Sequence, residues 1–440
     1  MQTNFTASQL ADPAAAESES ILRRCVHCGF CTATCPTYLT LGNELDSPRG
    51  RIYLIKDMLE NGRPADQSVV THLDRCLSCL SCATTCPSGV DYMHLIDHAR
   101  AHIEKSYRRP LMDRVIRGLL VSILPHPKRL RMALKLARVG RPFRMVAKRF
   151  PALKPIAAML ELAPRRITPL SPYSLPQTHQ AQGTKRGRVA ILTGCAQPVL
   201  EPGINAAAIR LLTRLGIEVV VPDGEGCCGA LVHHMGRENL ALDSARSNID
   251  VWIRAIETEG LDAIIVTASG CGTTIKDYGH MLKLDPDYAQ KAATVSSIAR
   301  DITEYLSSLA LPTLPSKGIT VAYHSACSMQ HGQKITTGPK QLLSMAGFTV
   351  RDPKEGHLCC GSAGTYNILQ PEISSKLKVR KVGNLEATNA DVIAAGNIGC
   401  ITQIATGTAI PILHTVELLD WAYGGEVPEK LRSKPEGLRR

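Results

Sequence analysis

A chain of 440 residues with 44% hydrophobic content exceeds one ordinary domain, and length alone predicts about three. The net charge of +12 is concentrated: residues 108–166 carry 16 Lys and Arg against only Asp113 and Glu161, and the slightly acidic remainder excludes a general nucleic-acid binder. No run of 18 apolar residues predicts a transmembrane helix, and an N-terminus without a basic flank or an apolar core predicts a reducing, cytoplasmic compartment, not a secreted disulfide framework, for the 16 cysteines.

Residues 1–19, rich in Ala, Ser and Glu, read as a flexible tail, with a helix expected from about Ser20. It leads into CVHCGFCTATCP (25–36), a C-x2-C-x2-C-x3-C-P run that recurs as CLSCLSCATTCP (76–87). That is the bacterial ferredoxin spacing for a [4Fe–4S] cluster, in which the fourth cysteine serves the other cluster. It assigns Cys25, Cys28, Cys31 and Cys86 to one cluster and Cys76, Cys79, Cys82 and Cys35 to a second. Zinc rarely needs four cysteines at such spacing. Between the runs, residues 49–62 place Ile52, Ile55 and Leu59 on one helical face, ending at Gly62 and Pro64. Residues 20–106 are therefore expected to form a helical domain with two [4Fe–4S] clusters.

Residues 107–186 form a basic connector that prolines cut into short helices. RVIRGLLVSIL (114–124) and KRLRMALKLARV (128–139) are basic and amphipathic, a pattern that suits an anionic membrane surface or an acidic protein face equally. Residues 167–186 read as a flexible linker.

An internal repeat follows, expected to span 187–312 and 313–424. RVAILTGC (188–195) and GITVAYHSAC (318–327) each read as a buried strand ending in a cysteine, Cys195 or Cys327. Cys227-Cys228-Gly229 and Cys359-Cys360-Gly361 begin 32 positions later, and a third strand leads to Cys271 or Cys400. Strands alternating with helices predict a parallel α/β sheet with its cysteines at the strand C-terminal ends, where such sheets place ligands. Four cysteines at matching spacing in each half point to metal or redox use, with buried structural cysteines as the alternative. His233, His234, His324, His331 and His357 stand near them and are expected to be ordinary hydrogen-bonding residues; Tyr366 and Asn367 are candidates to face a small molecule. No nucleotide-binding glycine motif accompanies a strand, so no organic substrate site and no catalytic residue is expected in this chain. The polar tail is 425–440.

The stretches CVHCGFCTATCPTY (25–38), LDSPRGRIYLIK (45–56), LDRCLSC (73–79), CPSGVDY (86–92), GCAQP (194–198), TASGCG (267–272), HLCCGSAGTY (357–366) and NIGC (397–400) resemble the family of glycolate oxidase iron–sulfur subunits. They also resemble the wider group with two ferredoxin motifs and two cysteine-rich CCG domains. The group includes heterodisulfide reductase B-type subunits, lactate-utilisation proteins and the C subunit of anaerobic glycerol-3-phosphate dehydrogenase. The resemblance covers about residues 18–424. It implies a multidomain fold, a small α-helical dicluster ferredoxin domain plus a duplicated Rossmann-like α/β CCG domain. It further implies electron transfer from an FAD-bearing partner that oxidises glycolate towards quinone, at the cytoplasmic face of the membrane. A heterodisulfide-reductase-like catalytic site, or service to lactate or glycerol 3-phosphate oxidation, is the alternative. Thr274 and Gln403 stand where the heterodisulfide-reductase pattern ends each half with a fifth cysteine, which counts against a five-thiolate cluster.

Overall fold

The structure, a computed structural model, describes residues 1–164 and 166–432. Its N-terminal unit is helical. Helices Pro13–Arg24, Pro48–Glu60, Gln67–Asp74 and Tyr92–Ser106 start at side-chain caps from Asp12, Ser47, Asp66 and Asp91, which satisfy otherwise orphaned amides. They close on a core of Leu22, Ile55, Met58, Leu73, Leu95, Ile96 and Ile103, all fully buried. Each such side chain contributes about 1.5–3 kcal/mol of transfer free energy.

Residues 1–19 are not a tail here. Thr6 caps a short helix, Ala7–Leu10, and the Asp12–Pro13 pair starts the next helix earlier than Ser20. The terminal amine donates to the Cys25 carbonyl at 2.5 Å, and Thr3 Oγ1 donates to Glu19. Capping chemistry outweighed the polar composition.

The connector contains helices Leu111–Ile123, Pro127–Gly140, Arg144–Arg149 and Lys154–Leu162. Arg109, just before its first helix, and Arg117 within it both bond Asp74 of the helical unit, while Ile116 and Leu120 pack against Val232, Met235, Ala241 and Ile368 of the duplicated unit. The expected linker also takes structure. Residues Gln177–His179 form β1, which covers the edge of the first sheet antiparallel to β3 (Ile217–Val221). An unpaired edge exposes a row of amides, and this short strand covers it.

The repeat builds two sheets. The first holds β1, β2 (Gly187–Ile191), β3, β4 (Ala263–Val266) and β5 (Ala299–Asp301) in the order β1-β3-β2-β4-β5, parallel apart from β1. The second holds β6 (Thr320–His324), β7 (Thr349–Arg351), β8 (Val392–Ala395) and β9 (Ile412–His414) in the order β7-β6-β8-β9, all parallel. In each half the first strand lies inside the sheet and the chain then reverses direction across it. That creates a crevice at the C-terminal ends, the usual ligand position in such sheets. The halves exchange helices: Gly203–Arg214 packs on Thr415–Ala422, and Ile302–Ser308 on Gly338–Met345. One apolar core runs through both, and Arg210 and Arg214 clasp the buried Asp420. The polar tail contributes Glu429–Arg432, whose Leu431 is fully buried; 433–440 lie outside the described residues.

Candidate metal centres

The two ferredoxin runs fold alike. His27 and Gly29 in the first run, and Ser78 and Leu80 in the second, take positive φ at equivalent positions. Leu80 at φ +60° occupies a conformation that costs an L side chain about 1–2 kcal/mol. These reversals curl each loop so that its three leading cysteines line one cavity. The fourth cysteine sits just before the helix that Pro36 opens in the first run, and just before Pro87 in the second.

One cavity is lined by Cys25, Cys28, Cys31 and Cys86, with His27, Phe30, Arg49 and Tyr92 around them. The other is lined by Cys35, Cys76, Cys79 and Cys82, with Thr37, Arg51 and Tyr92. Each run thus sends its fourth cysteine to the other cavity. Cys82 and Tyr92 border both, and the Tyr92 hydroxyl donates to Cys76 Sγ at 3.7 Å. A pair of thiol quartets inside apolar walls fits two four-iron clusters by the chemistry of its donors. The first cavity lies nearer solvent: Cys28 is exposed, and Val26 and Phe30 beside it are 67% and 63% exposed.

A buried charge network beside the second cavity escaped the sequence reading. Arg51, 1% exposed, donates Nε to the His72 carbonyl at 2.7 Å and Nη2 to Thr37 at 3.0 Å, and its Nη1 lies 3.9 Å from Cys35 Sγ. Asp46, fully buried, takes Arg75 at 2.9 Å, His72 at 2.8 Å and Arg51 at 3.7 Å. Burial opposes charge on Arg51, but Cys76, Tyr92, Cys35 and Asp46 keep the guanidinium protonated. Its signal was present in LDSPRGR, where Arg51 falls one turn before Ile55 on the buried face of the helix, with Asp46 just ahead of the helix start.

In the duplicated unit, Cys195 follows β2, Cys227 and Cys228 follow β3, and Cys271 lies in the helix after β4; Cys327, Cys359, Cys360 and Cys400 repeat this after β6, β7 and β8. Sulfur contacts run within each half. Cys195 and Cys228 lie against Cys227, and their proximity pushes its thiol down and theirs up. Cys327 Sγ lies 3.7 Å from Cys359 Sγ, and Cys360 contacts Cys400. Gly229 and Gly361, at φ +83° and +87°, turn the Cys-Cys pair under the next helix; a Cβ on Gly361 would lie 2.6 Å from the Ser374 carbonyl oxygen. Thr274 and Gln403 serve the scaffold: Thr274 donates to the Gly270 carbonyl, and Gln403 to Ser374 Oγ at 2.8 Å.

The second half also touches the helical unit. Leu77 and Cys79 share an apolar cluster with Cys359, Tyr366, Ile373 and Leu377, and Cys327 packs against it. Tyr366 donates to the Arg75 carbonyl at 3.0 Å and so braces this junction, whereas Asn367 donates to Gln403 at 3.1 Å within the second half. Among the nearby histidines, His233 and His234 pair with Asp97, and His331 bonds Thr84 and the His357 carbonyl. His357 is half-buried. His324 stands apart: it is 1% exposed beside Cys360 and Cys400, and burial, reinforced by Lys381, pushes its imidazole down to about 3, leaving it neutral.

A helical unit with two crossed cysteine quartets, seated on a duplicated parallel α/β unit with one quartet per half, defines a multicentre iron–sulfur protein. The 4Fe-4S dicluster domain family matches residues 21–90, and the cysteine-rich domain family matches 189–276 and 321–405. The chain is 43% identical over 429 residues to the glycolate oxidase iron-sulfur subunit of Escherichia coli (strain K12), covering 97% of this chain and all of that one. It is 33% identical to the probable glycolate oxidase iron-sulfur subunit of Bacillus subtilis (strain 168), covering 92% of this chain and 95% of that one. The chain belongs to the glycolate oxidase iron–sulfur subunit family. Lactate utilization protein A of Bacillus cereus (strain G9842) is 25% identical over 53% of this chain and 98% of its own length. A crystal structure of a hypothetical protein from Helicobacter pylori shares the fold, with a TM-score of 0.53 and 11% identity, covering 96% of this chain and 75% of that one.

Proposed function

We propose that this chain is the electron-transfer subunit of a membrane-associated glycolate dehydrogenase (glycolate oxidase), linking an FAD-bearing partner that oxidises glycolate to glyoxylate with a quinone acceptor. The observation that carries the reading is the succession of thiol sites: a quartet nearer solvent, opened by Cys28, a buried quartet sharing Cys82 and Tyr92 with it, and a third quartet against Cys79. Cys25, Cys28, Cys31 and Cys86 hold one [4Fe–4S] cluster, and Cys76, Cys79, Cys82 and Cys35 the other. Cys195, Cys227, Cys228 and Cys271, with Cys327, Cys359, Cys360 and Cys400, hold further metal or act in redox. Such clusters supply one-electron carriers. The protein's own residues set their surroundings. Arg51 places a fixed cation beside the buried quartet, and the walls around Tyr92 limit water. Val26 and Phe30 form an apolar rim suited to a docked partner.

Glycolate as the partner's substrate rests on the two relatives that cover nearly the whole chain; the lactate-utilisation relative covers about half of it. A disulfide-reducing CCG site is disfavoured by Thr274 and Gln403, which are committed to hydrogen bonds with the scaffold.

Membrane attachment falls to the connector. No helix among the described residues is long and apolar enough to cross a membrane. Met132, Leu136, Val139 and Phe143 instead form an exposed stripe, each at least 57% exposed, among Arg138, Arg141 and Arg144, which make no ion pair among the described residues. An apolar stripe bordered by cations fits the cytoplasmic leaflet's anionic surface.

Reconstitution tests the central reading. Anaerobic protein mixed with its flavin partner and glycolate should lose its iron–sulfur absorbance. Cys25→Ser should uncouple glycolate oxidation from quinone reduction while residues 187–424 stay folded. Flavin turnover that leaves the wild-type iron–sulfur absorbance unchanged would refute the proposal.

A further inference from the structure

The two halves of the duplicated unit diverge at one buried position. Leu192 follows β2 and is 3% exposed; its counterpart at the end of β6 is His324, 1% exposed. Leucine needs only apolar neighbours there. Histidine brings two ring nitrogens into the same setting, and buried polar atoms require partners. Neither Nδ1 nor Nε2 of His324 has a hydrogen-bond partner among the described residues. A ring nitrogen of His324 and the sulfurs of Cys360 and Cys400 lie within 4.8 Å of one another. Cys327 and Cys359, their sulfurs 3.7 Å apart, belong to the same quartet. Thiolates about 2.3 Å from one tetrahedral ion stand about 3.8 Å from each other, so this spacing suits a single ion or a compact iron site.

We propose that His324 is a nitrogen ligand of the metal centre in the second half, binding iron or zinc together with Cys360 and Cys400, whereas thiolates alone serve the first half. Iron and zinc both accept mixed imidazole and thiolate donors. The inference rests on the reading that the second-half cysteines hold metal, and the test separates the two.

Full-length protein is purified anaerobically as wild type, His324→Leu (the residue at the matching position of the first half), His324→Gln and Cys360→Ser. Iron and zinc are counted after graded chelator challenge. X-ray absorption at both metal edges and pulsed electron paramagnetic resonance look for a bound nitrogen. Circular dichroism melting checks the fold, since His324→Leu restores an apolar contact and His324→Gln keeps a polar group of smaller volume. Even partners that only orient a ligand are worth about 10–100-fold in metal affinity, so both His324 variants should release the second-half metal at roughly 100-fold lower chelator or more. The nitrogen signal of the wild type should vanish with them, and Cys360→Ser should lose the same metal. If Cys360→Ser loses metal while both folded His324 variants keep it with unchanged spectra, the histidine proposal is overturned and the cysteine reading stands. If Cys360→Ser also changes nothing, both are overturned.

Discussion

Arg51 offers the sharpest physical test of how the protein sets its buried quartet. Replacing it with Met keeps the volume and removes the guanidinium that reaches Cys35, Thr37 and the His72 carbonyl. Two effects follow, and they separate. Asp46 loses one of three cationic or imidazole neighbours inside the protein, and breaking a buried pair typically costs about 3–5 kcal/mol. Arg75 and His72 remain on that carboxylate, which puts the loss near the lower figure. The second effect is electrostatic. A unit charge 3.9 Å from the Cys35 sulfur, at an effective dielectric of about 20, interacts with a full negative charge by about 4 kcal/mol. If Asp46 cancels about half of this, about 2 kcal/mol per electron remains, equivalent to a fall of about 80–90 mV in reduction potential. The assay is a mediated redox titration followed by electron paramagnetic resonance, with denaturant unfolding run in parallel. Arg51→Lys retains the charge and should keep the potential near wild type while losing stability. Asp46→Asn in the Arg51→Met background should recover part of the stability. A potential that stays constant or rises in Arg51→Met would refute the argument that this cation tunes the site.

Other consequences are equally concrete. Gly361→Ala sets a Cβ 2.6 Å from the Ser374 carbonyl oxygen and 3.1 Å from its Cα at φ +87°, all backbone that cannot yield; it should destabilise the second half by at least about 2 kcal/mol in denaturant unfolding. Gly89→Ala, also at positive φ but with nothing within 4 Å, should cost only the backbone term of about 1–2 kcal/mol. His94 joins the helical unit to the first half: burial lowers its imidazole, but Asp277 and Asp91 outweigh this and hold it up to about 10. Because the folded value is raised, the stabilisation is complete below about pH 6.5 and is lost as pH climbs through about 10. The stability gap between wild type and His94→Gln, measured across that range, should therefore close towards alkaline pH, and a gap that widens would contradict the assignment. Leu136→Glu with Val139→Glu should lower binding to anionic phospholipid vesicles at least tenfold, since one buried apolar side chain alone is worth about 1.5–3 kcal/mol; unchanged co-sedimentation would remove the membrane role of this stripe.

Spacing made much of this molecule legible. The 2-2-3 cysteine runs announce a loop geometry that needs no long-range information, and the 32-residue interval from Cys195 to Cys227 and from Cys327 to Cys359 exposes the duplication. The parallel sheets followed from apolar strands such as AIIV and VIAA alternating with long helices. What stayed hidden depended on contacts remote in sequence. The N-terminal residues look polar, yet their caps and the bond from Met1 to Cys25 order them against the first loop. Residues Gln177–His179 become a strand only because β3 presents a free edge. Arg51 and Asp46 were legible as charged residues at a helix start, but their burial requires the neighbouring Gln67–Asp74 helix, which supplies His72.

The duplicated halves differ in how they meet the helical unit. Both halves keep the sheet order, the glycine turn and the four cysteines, so the fold alone does not distinguish them. Their contacts with the helical unit do. The first half meets it through charged pairs, His94 with Asp277 and Asp97 with His233 and His234, which fix orientation without bringing sulfur near sulfur. The second half meets it through Leu77, Cys79, Cys359 and Leu377, an apolar contact where thiols of two domains feel each other's charge. The divergence of Leu192 and His324 falls at the same place in the repeat, on the half that carries the sulfur contact. The two copies thus differ both in a buried donor, Leu192 against His324, and in the chemistry of their junctions with the helical unit, charged in the first half and apolar with sulfur in the second.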